Sequence, residues 1–68
     1  MRQRARLSQG LAFTRMQESQ DVLDAWLEAQ QRLEATGASR ARIRHCRDQV
    51  RAAQSHRDAA VYEWQGLA

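Results

Sequence analysis

Sixty-eight residues carrying eleven Arg, no Lys, eight acidic residues and two His make one small domain with a formal charge of +3. A chain of this length cannot enclose two cores. One Cys and no Pro exclude an internally stapled disulfide scaffold and a Pro-rich or collagen-like chain, and no apolar run approaches the roughly 18 residues of a membrane span.

The chain begins Met1-Arg2-Gln3-Arg4-Ala5-Arg6-Leu7, basic but followed by no apolar stretch, so it does not read as a secretory leader. Three Arg without a strong apolar face hold anionic lipid only marginally, so no membrane partner is expected. Residues 1–12 are expected to form a loose basic segment, because termini order only where they dock.

Twelve Ala and nine Gln against six β-branched residues favour helix. The first helix is expected over about 14–35, opened by a weak capping box of Thr14 and Gln17, with Ser8 an alternative start that would set Gly10 in the first turn. Met16, Ser19, Leu23, Trp26, Gln30 and Leu33 recur at alternating spacings of three and four, with Leu27 broadening the stripe beside Leu23. Val22 lies off this stripe, and Phe13, ahead of the heptads, reads as a partner contact.

Thr36-Gly37-Ala38-Ser39 is the turn. Gly37 suits the left-handed position that closes a helix, and Ser39 suits the N-cap of the next. A link this short makes the two helices antiparallel neighbours. The second helix, expected over about 39–65 and ended by Gly66, carries a cleaner seam: Ile43, Cys46, Val50, Ala53, Arg57, Ala60, Trp64 and Leu67. Val61 widens it, Arg57 interrupts it, and Tyr62 falls on the outside. The expected architecture is therefore all-α: an antiparallel, coiled-coil-like two-helix hairpin over 13–68.

Such a hairpin buries one stripe of each helix, and a core of that size rarely exceeds about 3–5 kcal/mol. Ala, Gln, Ser and Arg in the seams thin it further, and one partner helix cannot cover two Trp, one Phe and one Tyr. A protein partner is expected, either a second copy completing a four-helix bundle or a different protein. The interface is assigned to Met16, Leu23, Trp26, Leu27, Leu33, Ile43, Val50, Ala53, Ala60, Val61 and Trp64.

No catalytic, cofactor-binding or metal-ligating residue is assigned. His45 and Cys46 are adjacent and diverge by about 100° on a helix, so they form no dyad. Cys46 at a seam position behaves as a small hydrophobe. His45 and His56 lie about three turns apart, too far for a shared metal ion.

Charge divides the chain into a basic start (1–17), an acidic middle (18–36) and a basic second helix. Arg40, Arg44, Arg47 and Arg51 fall on one side of that helix, where they could follow phosphates or meet an acidic protein. The acidic residues of 18–36 are the competing partners within the hairpin. Arg at a helix N-terminus opposes the macrodipole, which suggests a use. No aromatic residue interleaves with them, so single-strand stacking has little support. A dimeric helical bundle that binds RNA or DNA is the alternative reading.

Arg6-Leu7-Ser8, the turn Leu33-Glu34-Ala35-Thr36-Gly37-Ala38-Ser39 and Gln49-Val50-Arg51-Ala52-Ala53 together resemble, in layout, the small helical-hairpin co-chaperones of type III secretion needle subunits. The resemblance implies a bacterial, cytoplasmic protein that holds a needle subunit unpolymerised together with a larger helical-repeat chaperone. Ile43, Val50 and Trp64 would then face the partner. The Arg cluster and Arg57 depart from that pattern.

Overall fold

The computed structural model describes the backbone of residues 2–67 and the side chains of residues 9–66. Two helices, α1 (Arg2–Ala35) and α2 (Arg40–Leu67), pack against each other as the expected antiparallel hairpin. It measures 54 × 14 × 11 Å between Cα atoms.

The turn forms for the reasons its residues suggest. Gly37 has φ +68°. Its N–H donates to the Glu34 carbonyl at 3.3 Å and the Ala38 N–H to the Leu33 carbonyl at 3.0 Å. These two bonds are the Schellman pattern, which satisfies carbonyls the helix leaves unpaired. Any other residue at Gly37 meets no steric block but pays the left-handed backbone cost of roughly 1–2 kcal/mol. On the far side Ser39 caps α2, its Oγ accepting from the Arg42 N–H at 3.4 Å.

The centre of the core is Leu23 packed against Val50 and Ala53, with half-buried Trp26 against them. Among the described residues Ala12, Cys46 and Ala60 complete the buried set. Three of these six buried side chains are Ala, so little apolar area is removed from water.

The N-terminal expectation is corrected. The backbone of residues 2–12 is helical, and α1 begins at Arg2 rather than near residue 14. Ala12 is only 1% exposed. From residue 9 on, the seam continues backwards as Gln9, Ala12 and Met16, at the same three–four spacing, toward the far end of α2. Gly10 lies on the exposed side, where it costs the helix only about 1 kcal/mol of propensity. Thr14 is therefore inside the helix and caps nothing; its hydroxyl donates to the Gly10 carbonyl at 3.0 Å. Gly66 likewise lies within α2, which runs on to Leu67.

Phe13 packs on Trp64 with ring centroids 6.2 Å apart, which places Gly10 level with Leu67. The earlier turns of α1 project beyond the end of α2. The side chains of Arg2, Arg4, Arg6, Leu7, Ser8 and Leu67 lie outside the described residues.

Candidate interaction surfaces

The hairpin uses most of the seam itself. Leu23, Val50, Ala53 and Ala60 are buried between its own helices. Met16, Trp26, Leu33, Ile43, Val61 and Trp64 are half-buried there. Leu27 does not broaden the packed stripe: it is 38% exposed. Among the described residues the large apolar side chains left in solvent are Leu27, Leu11, Phe13, Val22 and Tyr62. Tyr62 falls outside as its position predicts. Leu11 and Val22 escape a search for a single stripe. Their signal is a second line along α1, Leu11, Glu18, Val22, Ala25, Ala29 and Arg32, beside the packed one.

Arg57 and Cys46, the polar residues of the α2 seam, are partnered. Arg57 donates to the Gln20 Oε1 at 3.4 Å and to the Asp58 Oδ1 at 2.8 Å, so the cation that interrupts the stripe reaches its acceptors from the seam edge. The Cys46 thiol donates to the Trp26 carbonyl at 3.5 Å, and the His45 ring stands edge-on to Trp26 at 6.3 Å. Among the described residues no group of three or more His, Cys, Asp or Glu could hold a metal ion.

Among the described residues two ion pairs bridge the helices, Arg15–Glu63 at 3.0 Å and Arg47–Glu34 at 3.4 Å. Both are exposed and contribute about 0–1 kcal/mol each. The acidic middle therefore neutralises only part of the Arg stripe. Arg40, Arg44 and Arg51 are exposed and, among the described residues, form no ion pair. Arg40, Arg44 and Arg47 edge a shallow depression with Ile43 at its base.

A larger groove, about 660 Å³, runs between the helices on the Val22 side. Ser19, Val22 and Trp26 line it from α1, and Ala53, His56 and Ala60 from α2. Small residues make this groove: Ala and Ser leave the space that larger side chains would fill.

Fold and surface define a two-helix hairpin with an incomplete core. No family model matches the chain, and neither a curated protein nor a solved structure matches it. No helix among the described residues is long and apolar enough to cross a membrane.

Proposed function

We propose that this chain is a non-catalytic protein–protein interaction module of the bacterial cytoplasm, a secretion co-chaperone or small regulatory adaptor. Its partner supplies the apolar cover that one hairpin lacks. The observation that supports this is the set Leu11, Phe13, Val22, Leu27 and Tyr62, exposed beside a core that, among the described residues, has six buried side chains. Exposed apolar surface on so small a domain is what a partner interface uses. The co-chaperone form rests on the resemblance in layout.

The test is a photo-reactive residue placed at Leu27 or at Tyr62, with Asp21 on the outer face of α1 as the control, irradiated in the native host. A discrete polypeptide adduct is expected at the apolar positions and not at Asp21. Absence of any adduct at Leu27 and Tyr62 overturns the reading.

One observation favours a second reading. Arg40, Arg44, Arg47 and Arg51 line one side of α2 over roughly 16 Å, and Glu34 neutralises only Arg47 among them. Such a row suits the phosphates of RNA or DNA. Arg44→Ala with Arg47→Ala is then expected to weaken binding to a nucleic-acid duplex and flatten its salt dependence. A chain that binds neither RNA nor DNA at low salt ends this reading.

A further inference from the structure

The face that carries the groove has a charge order that matches it to one partner. On α1, Glu18, Val22, Ala25, Ala29 and Arg32 follow one another at three–four spacing, exposed apart from half-buried Ala29. On α2, Arg42, His45, Gln49, Ala52, His56, Ala59 and Glu63 do the same, with only Gln49 half-buried. Each line carries no carboxylate or guanidinium along its middle. Each ends in opposite signs: the acid lies toward the open end of the hairpin and the Arg toward the turn. Arg15 joins the open end, paired with Glu63, and His45 lies near the turn end. A line with one sign at each end is complementary to itself only when reversed.

Reversing α1 on a second α1 so that Glu18 meets Arg32 places the midpoint at Ala25. Reversing α2 on a second α2 so that Glu63 meets Arg42 places it between Ala52 and Ala53. The two midpoints are set by different charge pairs, and they are level in the hairpin. Gln20 lies beside Arg57, and five residues toward the turn along each helix from that level are Ala25 and Ala52. A single two-fold axis crossing both helices there brings all these charge pairs together, each twice. It also sets Gln49 opposite His56. Ala at the crossing lets backbones approach closely, and Val22 and the groove edge of Trp26 become covered.

We propose that a second copy of this chain occupies this face, antiparallel, with α1 against α1 and α2 against α2, closing a four-helix bundle. The overlap takes in nearly all of α2, 28 residues. Roughly 42 Å of overlap across a face two helix diameters wide is on the order of 800 Å² per copy, the size of a standard stable interface. The proposal rests on the reading of the chain as an interaction module and names its partner on this face.

Sedimentation equilibrium of the whole chain from micromolar to millimolar concentration is expected to give a mass near twice 7.9 kDa. Glu18→Arg and Arg32→Glu are each expected to weaken the dimer about tenfold, since each creates two like-charge contacts across the axis. The two changes in one chain are expected to restore it. Both positions are exposed, so helix content by circular dichroism should stay constant and exclude misfolding as the cause. Ala25→Cys is expected to cross-link to the same position of the second copy on mild oxidation, and Asp21→Cys is not. In a parallel pair α1 would face α2, and neither the charge restoration nor the Ala25 cross-link would occur. A chain that stays monomeric throughout, a double variant as weak as the single ones, or no cross-link at Ala25 overturns the proposal. A monomer that still yields an adduct at Leu27 in the host would leave the interaction-module reading standing.

Discussion

Leu23→Ala is expected to leave the isolated hairpin largely unfolded at room temperature. Leu23 is 2% exposed and stands at the centre of the cluster with Val50 and Ala53. Truncating a buried Leu to Ala costs about 2–5 kcal/mol, made up of lost transfer energy and an unfilled cavity. A single core in a chain below 70 residues seldom supplies more than about 3–5 kcal/mol in total. The loss is comparable to the whole stability, and the neighbours that could collapse into the space are mostly Ala. Far-UV circular dichroism and the fluorescence of Trp26, which packs on this cluster, follow the change together. A variant that unfolds cooperatively at the native urea midpoint would place the stabilising contacts elsewhere. Association stabilises the folded form by mass action, so part of the lost helix should return at high protein concentration.

Val50→Asp is expected to be as damaging by a different route. Val50 is buried between the two helices, so the substitution removes apolar packing and sets a carboxylate against Leu23 and Ala53. Nothing in the cluster pairs with it, and the combined cost is about 4 kcal/mol or more. Burial disfavours the charged form and raises the acid's pKa in the folded state. The folded state then holds the proton more tightly, so the variant should regain helix as pH falls through the usual carboxylate range. Leu27→Asp is the comparison. Leu27 is 38% exposed, so the same chemistry there should leave the helix signal unchanged and act only on binding. If Val50→Asp keeps a fully helical hairpin at neutral pH, the seam faces a partner and not its own sister helix.

That contrast marks where sequence reasoning stops. Ile43, Cys46, Val50, Ala53, Ala60 and Trp64 were legible as one face, since helical geometry alone puts residues at three–four spacing on one side. The turn was legible because Gly37 and Ser39 are the residue types that a left-handed closing position and an N-cap require. The start of α1 was not. Its continuing seam is Gln9 and Ala12, one polar and one small, so no hydrophobic signal marks it, and Gly10 and the surrounding Arg read as a loose end. From spacing alone the apolar stripe also reads as a partner interface. In the hairpin Leu23, Val50, Ala53 and Ala60 are consumed by the fold. Leu27 is not, and of the assigned residues it remains the one clearly open to a partner. Val22 was legible as a residue off the stripe, but its use was not, because the meaning of a second face depends on what the first has already covered.

The sequence by itself determined that two Pro-free amphipathic helices meet at Gly37 and lie antiparallel, because backbone sterics and helix period are local properties of the chain. The tertiary structure decided which face of each helix is spent on the other, how far α1 extends, which Arg remain unpaired, and that a groove opens beside Val22. Periodicity groups residues on a common face. Packing alone decides which faces meet and which are left for something else.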